Sequence, residues 1–126
     1  MSMNKVISVS TMLVCLAVIL LSCKKDSKEV IERIEINVML RANQIYEYNL
    51  GAFGDEEGVS VFRQASHFKV SAAEMEVVTG IVTYTYQPAT NYVGCDEVEL
   101  VSAKGSDGAS ANNRKLFTTI KFTVTN

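Results

Sequence analysis

Apolar and polar residues alternate along most of the chain beyond residue 30. In segment 30–40, apolar residues take every second position from Ile34 to Leu40, and segment 116–125 repeats this pattern. Successive side chains of a strand point to opposite faces, so the alternation predicts strands with one buried face. Other segments rich in β-branched and aromatic residues also predict strands: 44–50, 59–62, 68–70, 81–86 and 97–100.

Helix is favoured locally in only two places. Residues 29–36 are good helix formers, but the alternation continues beyond them and favours a strand. Residues 71–76 predict a single helical turn, while 77–78 fit a strand equally well. Short strands separated by glycine-rich loops at 51–58 and 104–113 predict an all-β fold, an antiparallel β-sandwich of about seven strands.

The chain begins with a different pattern, an apolar run from Val6 to Leu21 that follows the positive charge of Lys5. Charged residues follow this run at once, at 24–29. Its strongly apolar part is about ten residues long, whereas a membrane-spanning helix needs about 20. We therefore expect residues 1–22 to be a cleaved secretory signal and residues 30–126 to form one domain.

The run closes on Leu20, Leu21, Ser22 and Cys23, which resemble the lipobox of bacterial lipoproteins. The resemblance implies that Cys23 takes the lipid, becomes the first residue after cleavage and anchors the protein. We expect a location in the bacterial cell envelope, on the outer membrane, with residues 23–29 as a short polar tether. The alternative is an ordinary signal peptide with an incidental cysteine.

Composition narrows the range of functions. The net charge is −2 with both signs scattered, so nucleic acid is a poor partner. With Cys15 lost in the signal and Cys23 lipidated, Cys95 has no intrachain partner, and we expect it to be buried as a small hydrophobic residue. One histidine, His67, and no tryptophan leave few catalytic arrangements, so we expect no enzymatic activity.

The segment 84–100 is similar to the signature of bacterial Ig-like and cadherin-like modules. Its matching residues are Tyr86 and Pro88, then Tyr92, then Gly94 and Asp96, before an alternating strand, while Cys95 departs from the small hydroxyl residue usual at that position. Their chemistry indicates a structural corner. Pro88 removes a ladder donor, Tyr92 combines a ring with a hydroxyl that can reach backbone, Gly94 permits an unusual φ and Asp96 can accept loop amides.

Metal binding has only weak candidates, which are carboxylates: Asp55, Glu56, Glu57 and Asp96. Calcium needs several oxygen ligands converging from a loop, and the chain has no alternating Asp/Asn loop of that kind. Cadherin-like relatives bind calcium, but we favour solvated charge here and expect no cofactor besides the covalent lipid.

Four aromatic residues are candidates for a contact surface: Tyr46, Tyr48, Phe53 and Phe62. The tyrosines share the parity of Leu50 and favour the core, so Phe53, in a loop between glycines, is the best contact candidate. We expect a non-catalytic module that binds the membrane through its lipid and an envelope or surface protein, or a glycan, through the domain. The alternative is a calcium- or glycan-binding accessory module that serves an enzyme or uptake system.

Overall fold

The computed structural model describes residues 28–55, 57–105 and 114–126, and these form seven strands and no helix. The strands are β1 (Val30–Arg41), β2 (Tyr46–Ala52), β3 (Gly58–Arg63), β4 (Phe68–Met75), β5 (Ile81–Pro88), β6 (Gly94–Lys104) and β7 (Arg114–Thr125). The predicted leader 1–22, Cys23 and Glu56 lie outside the described residues. Within the described part of the chain, no helix is long and apolar enough to cross a membrane.

The strands form two sheets, which confirms the predicted β-sandwich. One sheet has the order β1-β7-β6-β3 and the other the order β2-β5-β4. The pairing is antiparallel except between β1 and β7, which run parallel over the whole length of both strands. The expectation of a wholly antiparallel fold is therefore wrong at this pair. The first and last strands need no tight turn to connect them, so their direction is free to be parallel.

Aromatic rings join the two sheets at the centre of the core. The rings of Tyr86 in β5 and Phe122 in β7 stack with centroids 3.8 Å apart and an interplanar angle of 6°. Tyr46 meets Phe122 edge-on at 5.7 Å. Both tyrosines lie on the inward face of the three-stranded sheet, so Tyr46 is part of the core, as its parity predicts, and Tyr48 packs against the same cluster.

The alternation of β7 reproduces the prediction, because Ile120, Phe122 and Val124 are all buried. Along β1 the prediction holds only at the far end. Leu40 is buried, but Ile34 is 41% exposed. Between them, Ile36 and Val38 are half-buried and pack against the core, while residues 30–35 of this edge strand are all exposed.

Residues 71–76 do not form the predicted helical turn, because β4 runs through them to Met75. β4 pairs with β5 in a register that places Ser71 opposite Tyr86 and Ala73 opposite Tyr84. Ser71 is buried, and its hydroxyl lies 2.6 Å from that of Tyr84. Tertiary pairing with the strongest strand of the chain overrides a weak local helix preference.

Candidate functional site

The predicted corner at residues 88–96 has the geometry expected of a structural element. Pro88 is buried and ends β5, and Gly94 begins β6 with φ at +142°. A Cβ atom on Gly94 would lie 2.9 Å from the Tyr92 hydroxyl. Glycine is therefore required here both by backbone conformation and by the approach of the tyrosine.

The carboxylate of Asp96 accepts four hydrogen bonds at this corner. Oδ1 accepts from the backbone N–H groups of Ser66 at 2.8 Å and Glu97 at 2.9 Å. Oδ2 accepts from the His67 N–H at 2.9 Å and the Tyr86 hydroxyl at 2.8 Å. Burial raises the pKa of Asp96, but these donors outweigh it and hold the pKa below its usual value. Two of the donors, Ser66 and His67, belong to the β3–β4 connection, so the carboxylate holds this connection against β5 and β6.

Tyr92 and His67 complete the corner. Their rings stack with centroids 4.4 Å apart and an interplanar angle of 6°. The Tyr92 hydroxyl donates to the backbone carbonyl of Cys95 at 2.6 Å, so it reaches backbone as its position in the sequence predicts. His67 itself is exposed. The Asp96 carboxylate and the hydroxyls of Tyr86 and Tyr92 all have hydrogen-bond partners within the corner.

The acidic loop offers no converging cation site in the part of the chain that is described. Glu57 accepts the backbone N–H groups of Gly54 and Gly105, each at 3.1 Å, which lowers the pKa of its carboxyl. Asp55 is exposed and Glu56 lies outside the described residues. Within residues 28–55, 57–105 and 114–126, no three His, Cys, Asp or Glu side chains are grouped to hold a metal ion.

Phe53 is not the exposed contact residue that its loop position predicts. It is only 7% exposed, and the Lys104 ammonium lies 4.3 Å from the centre of its ring. Its backbone N–H donates to the Gly80 carbonyl at 3.0 Å, so the loop turns back onto the start of β5. A Cβ atom on Gly80 would lie 2.7 Å from the Phe53 carbonyl oxygen, so glycine permits this approach.

Cys95 is exposed, so the expectation of a buried thiol is wrong. It occupies an odd position of β6, on the outward face that it shares with Glu97 and Glu99. The even positions Asp96 and Val98 face the core. The parity of the strand, rather than the residue type, decides the exposure of this thiol.

The outward face of the four-stranded sheet carries a cluster that the sequence does not reveal. The register between β3 and β6 shifts between Val61 and Arg63, as at a β-bulge. Such an extra residue re-aims side chains, and here both Phe62 and Arg63 reach the outward face. Phe62 is 62% exposed and meets the ring of Phe117 edge-on at 5.1 Å.

Two arginines frame these rings. The guanidinium of Arg33 lies 4.4 Å from the centre of the Phe117 ring and donates to Glu99 Oε1 at 3.1 Å. Arg63 Nη2 lies 3.9 Å from Glu99 Oε2. Glu99 is buried, although it points away from the core. We call these five residues, Arg33, Phe62, Arg63, Glu99 and Phe117, the outer-face cluster.

The cluster unites residues that are far apart in sequence and lie on four strands, β1, β3, β6 and β7. Phe62 is the one member that the sequence marks, as one of four candidate contact aromatics. The bulge and the strand order bring the others to it, and neither has a signature in the residue pattern.

No family model matches the chain, and no curated protein matches it significantly. Solved structures do match. One is an endo-fucoidan hydrolase, MfFcnA4, from glycoside hydrolase family 107, with 10% identity over 72% of this chain and a TM-score of 0.47; the match spans 12% of the hydrolase. Another is a cysteine protease inhibitor from Entamoeba histolytica, with 12% identity, a TM-score of 0.46, and coverage of 76% of this chain and 96% of the inhibitor. Likenesses at this level support no inference about activity.

Proposed function

We propose that this protein is a lipid-anchored, non-catalytic module of the bacterial outer membrane that binds an envelope protein through the outer-face cluster. The lipobox resemblance of residues 20–23 supports the anchor. The outer-face cluster supports the binding role, and its exposed Phe62 is the observation on which the proposal depends.

We further propose that the domain is of the Ig-like or cadherin-like type. The orders β2-β5-β4 and β7-β6-β3 correspond to B-E-D and G-F-C of an immunoglobulin sandwich. The first strand differs from the constant type, because it joins the last strand instead of the second.

The composition of the cluster favours a protein partner. Aromatic residues and arginine are enriched at the energetic centres of protein interfaces. Burying the Phe62 side chain would contribute roughly 1.5 to 3 kcal/mol. The edge-on contact with Phe117 restricts the Phe62 ring before binding, which reduces the side-chain entropy lost when a partner covers it.

The arginines add specificity. Glu99 orients Arg33, and Glu97 together with Glu99 orients Arg63, before any partner arrives, while the two arginine side chains stay 65% and 60% exposed. Their remaining N–H groups can donate to carboxylate or carbonyl oxygens. The matching partner surface therefore presents an apolar side chain into the space beside Phe62, flanked by acceptor oxygens.

Capture from cross-linked envelopes tests the proposal. The native lipoprotein should retain a specific envelope protein, and Phe62→Ala should reduce its recovery at least fivefold while the melting temperature stays near wild type. Phe68→Ala is the matched control, because Phe68 is an exposed phenylalanine on β4 of the other sheet. Equal recovery with both variants would remove the outer-face cluster as the binding site.

A further inference from the structure

The turn between β4 and β5 carries two adjacent valines that are almost fully exposed. Val77 and Val78 are 95% and 92% exposed, whereas no other large apolar side chain of the described residues exceeds the 78% of Met39. Turns ordinarily carry glycine, proline, asparagine, aspartate or serine. The two valines contribute nothing to the core, so they indicate a contact made outside the domain.

The backbone of this turn is held by its own hydrogen bonds. The Glu76 N–H donates to the Ile81 carbonyl at 2.9 Å, and the Gly80 N–H donates to the Glu76 carbonyl at 2.8 Å. The Thr79 hydroxyl donates to Glu76 Oε2 at 2.7 Å. The turn is therefore ordered before any contact is made, and burying its two valines costs little conformational entropy of the backbone.

The turn lies at the end of the sandwich where β1 begins, and a series of contacts across that end places it there. The Phe53 N–H donates to the Gly80 carbonyl, and the Lys104 ammonium lies above the Phe53 ring. Lys104 pairs with Arg114 in the register of β6 and β7. Arg114 in turn pairs with Val30, the first residue of β1.

This is also the end that the expected lipid would hold near the bilayer. Cys23 precedes Val30 by seven residues, and a chain of that length spans at most about 25 Å when fully extended, at ~3.6 Å per residue. Val30 and Ile31 are exposed as well, so further apolar surface lies where the chain enters the domain.

The basic side chains at this end already have acidic partners. Arg114 Nη2 donates to Glu32 Oε1 at 3.1 Å, and Lys115 pairs with Glu29. Attraction to an anionic surface is therefore a weak basis for binding here. The exposed apolar area is the stronger one, because membrane association of this kind scales with the apolar area buried.

We propose that Val77 and Val78 insert into the lipid surface beside the acyl anchor and form a second membrane contact of the domain. The inference rests on the proposed lipid anchor at Cys23, which brings this end to the bilayer. The valine side chains would leave water for the boundary between headgroups and acyl chains, where burial of apolar surface is favourable. Two points of attachment would restrict rotation of the domain about its tether.

The chain contains no tryptophan, so a tryptophan introduced at the turn reports its own depth. The lipidated Val78→Trp protein, reconstituted in phosphatidylcholine vesicles, should lose at least half of its emission when the vesicles contain phosphatidylcholine with a nitroxide on the acyl chain. Val93→Trp is the matched control and should stay unquenched. Val93 is an exposed valine in the β5–β6 connection, at the opposite end of the sandwich.

Transfer between vesicles tests the contact without a tryptophan. The double variant Val77→Ser, Val78→Ser should move from donor to acceptor vesicles about tenfold faster than wild type, which corresponds to about 1.4 kcal/mol. Its melting temperature should stay at the wild-type value, because neither side chain packs in the core. Val93→Ser should transfer at the wild-type rate.

A fatty-acid label on Cys23 separates this inference from the proposed anchor. If the label is present but Val78→Trp is quenched no more than Val93→Trp, the second contact is overturned and the anchor stands. If the label is absent, both are overturned. Shielding of the Val78→Trp side chain in native envelopes but not in vesicles would also overturn the lipid contact, in favour of a protein at the turn.

Discussion

Asp96→Asn isolates the hydrogen bonding of the corner without changing its shape. The asparagine carbonyl can replace one carboxylate oxygen and keep two of the four donors. Its NH₂ group then faces the other pair. If the NH₂ group takes the place of Oδ2, it faces the His67 N–H, which then has no acceptor. The Tyr86 hydroxyl can still donate to the His67 carbonyl oxygen, 3.3 Å away.

The expected loss of stability follows from this count of hydrogen bonds. Hydrogen bonds to a charged group contribute roughly 1.5 to 3 kcal/mol each, and a buried N–H left unpaired costs roughly 1 to 3 kcal/mol. Since one donor loses its partner and the rest lose charge assistance, we expect Asp96→Asn to lower the free energy of unfolding by about 2 to 4 kcal/mol. For a domain of this size the melting temperature should fall by roughly 10 to 25 °C.

Denaturant unfolding of wild type and variant measures this, with Glu97→Gln as the matched control. Glu97 is the adjacent carboxylate and pairs with Arg63 at the surface, so its loss should cost less than about 1 kcal/mol. The pH dependence adds a second check. Because the folded pKa of Asp96 is depressed, its contribution is complete above about pH 4 and is lost as the pH falls through the folded pKa.

The two free energies of unfolding should therefore converge in acid. A variant within about 0.5 kcal/mol of wild type at neutral pH would refute the structural account of this carboxylate, since that is the range of ordinary surface substitutions.

Three further outcomes are expected. Gly94→Val should cost at least about 1 kcal/mol in a denaturant melt, because φ is positive and the new Cβ would lie 2.9 Å from the Tyr92 hydroxyl; a wild-type midpoint would contradict this. Cys23→Ser should take up no fatty-acid label in cells, since the thiol is the acyl acceptor; labelling at the wild-type level would exclude the lipobox. Burial raises the pKa of Tyr84 to about 12 and also raises that of Tyr86, so stability should be intact below about pH 10 and fall above it, with the tyrosinate NMR signals of these two residues appearing as the domain unfolds. Tyrosinate titration of these two residues near pH 10 in the folded domain would contradict the burial.

The residue pattern predicts the sandwich because its strongest strands can be recognised from their own local sequences. The alternation of β7 and the β-branched and aromatic composition of β5 each define a buried face without tertiary information. β4 cannot be recognised in this way, because the local preference of residues 71–76 for a strand is weak and the strand forms by pairing with β5.

The corner was predictable for a related reason. Pro88 and Gly94 act on their own backbone, and the structure uses both as their residue types indicate. Asp96 accepts loop amides as predicted, but the loop is the distant segment at Ser66 and His67, which the residue pattern does not identify. The errors at Cys95 and Phe53 concern burial, which depends on strand parity in the first case and on a loop folding back in the second.

Residue patterns do not predict the outer-face cluster. Phe62 and Phe117 meet because of a register shift and the strand order. Thr118 appears in the sequence as one hydroxyl in an alternating strand, and only the packed structure shows that this hydroxyl is buried without a hydrogen-bond partner among the described residues. Candidate sites of this kind form when the strands pair in the folded domain, and no local sequence motif marks them.

Photo-cross-linking in intact envelopes tests the binding role most directly. A photoreactive phenylalanine analogue replaces Phe62 in one sample and Phe68 in another, so that two exposed phenylalanine positions on opposite sheets are compared under identical conditions. The account predicts a discrete cross-linked product with one envelope protein from position 62 and none from position 68. No product at position 62, or the same product from both positions, would contradict it.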